Sequence, residues 1–132
     1  MALRQRPAVT VDGLVLVDGK LVAIRRRNEP FLGMPALPGG FVEFGETTTD
    51  AVVREVREET GLETRVLALA GVFSDPRRDP RGHVISVVYE LERIGGRLKA
   101  ASDASDIMML DLRELPPMAF DHNKIILSWQ RA

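Results

Sequence analysis

The stretch "GGFVEFGETTTDAVVREVREETGL", Gly39 to Leu62, constrains this chain more than any other. It opens on a Pro38-Gly39-Gly40 turn and crowds Arg54, Glu55, Glu58 and Glu59 into six residues. Thr47 offers an N-cap with Asp50 three residues on, in the manner of a capping box, and Gly61 is placed to stop a helix as its C′ residue. The spacing therefore predicts a helix that runs to Thr60. On it Glu55, Glu58 and Glu59 share one face, and Arg54 stands four positions before Glu58, where an ion pair can hold that carboxylate. Ala51, Val52, Val53 and Val56 supply apolar contacts. Clustered carboxylates with little local cation to offset them suit a hard divalent cation, which takes oxygen ligands and retains water. Such a set is what a magnesium-dependent phosphate reaction needs. Gly39 and Gly40 let the backbone come close enough to offer a carbonyl as a further ligand.

Around this core the chain reads as strands with a second helix at the end. "AVTVDGLVLVDGKLVAIRRR" is two β-branched runs joined at Asp18-Gly19, a strong hairpin signal. "NEPFLGMPALPGG" reads as a loop, because it carries Pro30, Pro35 and Pro38 together with three glycines. "TRVLALAGVFS" and "HVISVVYELERI" are strand-like, with "DPRRDPRG" between them, and "RLKAASDASDIMMLDL" mixes strand and loop character. "DHNKIILSWQR" is expected as a short helix capped by Asp121. No repeat or linker divides the 132 residues, so one domain spanning 1–132 is expected.

Composition excludes several classes of function. A net charge of −1 gives no electrostatic reason for nucleic acid or an anionic membrane surface as partner. The chain has no cysteine, which removes disulfides and thiolate metal sites. No apolar run approaches the roughly 20 residues of a membrane span, and "MALRQRPAV" lacks a signal-peptide core. A soluble, cytoplasmic protein is expected.

The stretch from Gly40 resembles the Nudix box, Gly-x5-Glu-x7-Arg-Glu-U-x-Glu-Glu-x-Gly-U with U apolar. Gly40, Glu46, Arg54, Glu55, Val56, Glu58, Glu59, Gly61 and Leu62 fill every fixed position. A chance match is on the order of 10⁻⁹ per starting point at typical residue usage. The resemblance implies an α/β fold, a Nudix-type α/β/α sandwich with a mixed β-sheet and a central catalytic helix. It implies hydrolysis of a nucleoside diphosphate linked to another moiety, with magnesium or manganese as cofactor. Carried over by position, Gly39 (through its carbonyl), Glu55, Glu58 and Glu59 are the metal ligands. Glu58 acts either on the metal or on water, Arg54 orients the glutamates, and Glu46 reaches a metal through water or pairs with an arginine. Similar enzymes take another acidic residue from a late loop, here Asp103 or Asp106, of which Asp106 is preferred.

Residues outside the box bear on the substrate. "SDPRRDPRGHVISVVYE" carries Arg77, Arg78 and Arg81 on a proline-stiffened loop, a cationic and phosphate-compatible character. The alternative is a polar loop whose arginines and aspartates pair with one another. The segment resembles the Asp-Pro-x-Arg-Asp-Pro-Arg segment of ADP-ribose pyrophosphatases and of Nudix-like ADP-ribose sensors, and "AFDHNKII" is similar to the C-terminal helix of that branch. By this resemblance Asp75, Arg77 and Arg81 contact substrate. Relatives often carry Trp-Ala-Leu-Pro-Gly-Gly before the box where this chain has Pro35-Ala36-Leu37-Pro38-Gly39-Gly40, so base stacking must come from elsewhere: Phe31, Phe73 or Tyr89.

His83 and His122 have no partner at ligand spacing and are not expected to hold a metal, and Trp129, Met108 and Met109 read as packing residues. One of Arg25, Arg26 and Arg27 could face a phosphate as readily as solvent. The leading expectation is a small-molecule nucleotide substrate, ADP-ribose, cut to AMP and ribose 5-phosphate. A Nudix hydrolase of another nucleotide, such as an oxidised nucleoside triphosphate, and a non-catalytic ADP-ribose sensor remain as alternatives. Homodimers are common among similar proteins, so a homodimer is a further expectation.

Overall fold

The computed structural model describes residues 5–99 and 106–132. β1 (Ala8–Val17) and β2 (Lys20–Arg25) form the expected hairpin, with Asp18 at φ 52° and Gly19 at φ 77°. That pair of positive φ values is the type I′ geometry, whose twist matches the flanking strands. β3 (Pro35–Ala36) and β4 (Gly39–Phe41) are followed by α1 (Thr48–Thr60), β5 (Leu62–Phe73), β6 (Val84–Gly96), β7 (Ile107–Leu110) and α2 (His122–Arg131).

The main path of the sheet is β3-β2-β1-β6-β5, with β4 paired to β1 and β7 paired to β2. β1 and β6 run parallel from Ala8↔Val84 to Val15↔Leu91, whereas the other pairings are antiparallel, so the sheet is mixed. The alternation of side chains along β1 and β2 separates two cores. Val11, Val15 and Val22 pack with Ala51, Val52 and Val56 of α1 on one face. Leu14, Leu21 and Ala23 pack with Ile125 and Ile126 of α2 on the other. A helix thus covers each face, as the α/β/α expectation requires. Val52 and Val56 are fully buried, and each contributes about 1.5–3 kcal/mol through removal from water.

Two local expectations need correction. The proline- and glycine-rich stretch read as loop holds β3 and β4, because its backbone finds long-range partners: Ile24↔Ala36 on β2 and Val11↔Gly40 on β1. Asp121 occupies the N-cap position of α2 but makes no side-chain cap bond. Its carboxylate accepts instead from Arg78, Nε at 3.0 Å and Nη2 at 2.6 Å. The start of α1 is as the sequence implies, with Thr47 Oγ1 accepting from the Asp50 backbone N–H at 3.1 Å. Its end is Gly61 at φ 85°, a left-handed turn that glycine adopts without strain.

Candidate active site

α1 lies with its acidic face against β4, and the two glycines of β4 make that approach possible. A Cβ on Gly40 would stand 2.5 Å from Glu55 Oε1, and one on Gly39 would stand 2.0 Å from the Val11 carbonyl oxygen. Glu59 Oε2 accepts from the Gly39 backbone N–H at 3.3 Å, which ties the helix to the glycine strand.

Arg54 organises the remaining carboxylates. Its Nε and Nη2 donate to the two oxygens of Glu46 at 2.7 and 2.9 Å, the bidentate fork that suits guanidinium and carboxylate. Its Nη1 donates to Glu55 Oε1 at 3.0 Å and Glu58 Oε2 at 3.2 Å, and Nη2 also reaches the Phe41 carbonyl at 3.3 Å. Hydrogen bonds from Arg54 hold the Glu46 carboxyl down at about 2, and the same contacts raise Arg54 above its ordinary value. Burial pushes Glu59 well above the ordinary glutamate range, and the neighbouring Glu55 carboxylate pushes it further. Burial raises Glu55 as well, with Arg54 working against the shift. Two desolvated carboxyls in contact resist being charged together.

The donor set fits a hard divalent cation in a particular way. Among the described residues no three acidic or histidine side chains converge to hold one ion directly. The Glu55–Glu59 pair beside Gly39 instead matches a cation that takes one or two carboxylates and keeps several waters, as magnesium does. A cation there would also relieve the repulsion that burial imposes on the pair.

Two cavities flank Glu59. One, of about 210 Å³, is lined by Gly39, Gly40, Phe41, Glu59 and Arg81, with Asp12, Arg26, Phe120 and His122 among its further walls. The other, of about 290 Å³, is bordered by Arg25, Arg26, Arg27, Lys99, Glu58, Glu59 and Asp106. Asp106 is thus brought to the carboxylate cluster, where Arg27 pairs with it. Asp103 lies outside the described residues.

The "DPRRDPRG" loop divides its arginines among different tasks. Arg81 lines the first cavity and is gripped by Asp79, Nη2 to Oδ2 at 2.8 Å, with its guanidinium 5.2 Å from the Phe41 ring and 5.7 Å from the Phe120 ring. Arg78 also borders this cavity, but it is almost wholly buried and held by Asp121. Arg77 is 91% exposed and pairs with Asp75, and neither residue borders the two cavities beside Glu59. The reading of mutual Asp–Arg pairing therefore describes most of this loop, and Arg81 is the member that also faces the cavity.

Of the aromatics, Phe73 packs on the α2-side core and Tyr89 on the α1-side core, where its hydroxyl meets Thr48 Oγ1 at 2.6 Å. Phe31 stands edge-on to Phe120, with ring centroids 4.8 Å apart, and reaches the cavity only through that neighbour.

Asp12, Phe120 and His122 were not singled out from the sequence as site residues. Asp12 alone carried a signal, an acid within the β-branched run of a buried strand. Burial pushes Asp12 up to about 7 and His122 down to about 3.

Comparison with known proteins agrees with this architecture. The NUDIX domain family matches residues 6–130. A relative from Methanocaldococcus jannaschii named ADP-ribose pyrophosphatase is 58% identical over 125 residues, which is 95% of this chain and 74% of the relative. A crystal structure of a MutT/nudix family protein from Enterococcus faecalis superposes with a TM-score of 0.83 at 32% identity, covering 99% of this chain and 63% of that one. A bifunctional NMN adenylyltransferase/ADP ribose pyrophosphatase from Francisella tularensis, solved with AMP and a manganese ion, gives a TM-score of 0.78 at 32% identity over 98% of this chain and 43% of that one. This chain therefore spans less than two thirds of either solved protein. With the family matched across nearly its whole length and the glutamate helix intact, the chain belongs to the NUDIX family.

Proposed function

We propose that this protein hydrolyses ADP-ribose between its two phosphates, releasing AMP and ribose 5-phosphate. The observation that carries the reading is the Glu55–Glu59 pair seated against Gly39, between a cavity walled by Phe41 and Phe120 together with Arg26 and Arg81, and one rimmed by Arg25, Arg26 and Arg27. A base and its ribose suit the first kind of surface, and phosphates suit the second. The 58% identity to the archaeal relative named for this activity points the same way.

A divalent cation, magnesium or manganese, held by Glu55, Glu59 and the Gly39 carbonyl would offset charge on the pyrophosphate oxygens and acidify an attacking water. The chain's own residues supply orientation and proton transfer. Arg54 fixes Glu55 and Glu58 in place by hydrogen bonds and is itself fixed by Glu46. Glu58 is 55% exposed and holds Arg54 through Oε2, and among the described residues Oε1 has no partner and can take a proton from water. Asp106 borders the same cavity and is the second acid able to do so once Arg27 turns to a phosphate. Water attacks phosphorus, the bridging P–O bond breaks, and the departing phosphate keeps the bridging oxygen.

The test is product analysis with purified protein, ADP-ribose and magnesium. AMP and ribose 5-phosphate in equal amounts, abolished by a chelator, support the proposal. Intact ADP-ribose under these conditions contradicts it.

A further inference from the structure

The aromatic-walled cavity ends on polar groups that the hydrolytic chemistry does not use. Asp12 on β1 accepts a hydrogen bond from Ser86 Oγ of β6 through Oδ2, which leaves Oδ1 as its available acceptor. His122, the first residue of α2, accepts at Nδ1 from the Leu37 backbone N–H at 3.0 Å. In the neutral ring the proton is therefore on Nε2, the other nitrogen. Nε2 stands 3.8 Å from Asp12 Oδ1, too far for a hydrogen bond between them, and neither atom has another partner among the described residues. Both residues line the cavity. An acceptor and a donor thus sit side by side in the cavity wall, open to a ligand.

The adjoining walls suit a flat ring. The Arg81 guanidinium lies over Phe41 and Phe120, the Arg26 guanidinium lies 4.9 Å from the Phe120 ring centroid, and Phe31 braces Phe120 edge-on. Planar guanidinium and phenyl surfaces stack bases without regard to sequence, so they contribute affinity and little discrimination.

We infer that Asp12 and His122 select the base of the substrate, accepting a 6-amino purine and rejecting a 6-keto purine. The inference rests on the ADP-ribose reading of the same site. Adenine presents its 6-amino donor beside a ring-nitrogen acceptor, N7 on one edge and N1 on the other. As the ionised carboxylate, Asp12 takes the amino hydrogen at Oδ1, and His122 Nε2–H donates to the ring nitrogen. A keto purine puts the O6 acceptor against Asp12 Oδ1 on either edge, which leaves two acceptors facing each other in a desolvated pocket.

The experiment compares, at about pH 8.5 where Asp12 is ionised, kcat/KM for ADP-ribose with that for its hypoxanthine counterpart, inosine diphosphate ribose. The counterpart has a 6-keto group and a hydrogen on N1 where adenine has the 6-amino group and a bare N1. Wild-type protein should favour ADP-ribose on the order of 100-fold, because a pocket built on hydrogen bonds rejects a mismatched partner strongly. Asp12→Asn turns an NH2 donor toward the cavity, so the ratio should fall roughly tenfold or more, with a raised KM for ADP-ribose. A purely structural role for Asp12 would lower both activities and leave their ratio unchanged. Should that variant fail to fold, His122→Asn keeps an acceptor for the Leu37 N–H, removes the ring donor and should lower the same ratio. Cleavage of both compounds at similar kcat/KM overturns this inference and leaves the functional reading standing. Cleavage of neither removes the functional reading and this inference with it.

Discussion

Arg54 grips Glu46 with two parallel hydrogen bonds, and the same guanidinium reaches Glu55 and Glu58 on its own helix. One cation thus positions three carboxylates from two segments, the loop before α1 and α1 itself. Arg54→Lys keeps the charge but loses the fork. We expect kcat to fall about 10–100-fold and the metal requirement to rise, as for other residues that orient metal ligands. Steady-state kinetics over a magnesium titration reads both effects.

Glu59→Gln preserves side-chain shape and helix propensity while removing the carboxyl proposed to hold the cation. Turnover should drop by orders of magnitude with the circular dichroism spectrum unchanged. Activity near wild type would remove Glu59 from the metal site.

The two glycines of β4 should separate stability from activity. A Cβ on Gly39 collides with the Val11 backbone carbonyl at 2.0 Å, which cannot yield without moving β1. Gly39→Ala should therefore destabilise the protein severely. A Cβ on Gly40 meets the end of the Glu55 side chain, which can swing aside. Gly40→Ala should cost metal affinity and activity more than it costs thermal stability. Paired melting and kinetic measurements test the contrast.

Arg81 and Arg77 belong to one loop but should respond differently. Arg81→Ala removes a guanidinium that faces the cavity and is expected to raise KM for ADP-ribose. Arg77 is 91% exposed and, among the described residues, paired only with Asp75, so Arg77→Ala should leave kcat and KM nearly unchanged.

His122 is buried and neutral, held near 3 against an ordinary 6.5. Its depressed value means that its contribution to stability is fully present above about 6.5 and declines as pH falls toward 3, because the unfolded chain binds the proton that the folded one refuses. Asp12, raised to about 7, runs the other way and loses its contribution as pH rises. Comparing wild type with His122→Gln isolates the histidine. The variant's melting temperature should fall less steeply than wild type between pH 6.5 and 4.

How much of this was legible depended on whether the determining contacts are local. The Asp18-Gly19 turn, the Thr47 cap, the Gly61 stop and the shared face of Glu55, Glu58 and Glu59 all follow from spacings within a few residues. β3 and β4 were not legible, since the backbone of Pro35–Phe41 becomes strand only by pairing with β1 and β2. The same holds for Asp12 and His122, which meet only because β1 and the start of α2 border one cavity. Arg78 looked suited to phosphate in sequence, yet Asp121, distant in the chain, takes its guanidinium.

The central claim is most directly tested by measuring kcat/KM side by side for ADP-ribose and for normal and oxidised nucleoside triphosphates, with magnesium present. The account predicts a clear preference for ADP-ribose with AMP as product. A preference for triphosphates, with ADP-ribose left intact, would contradict it.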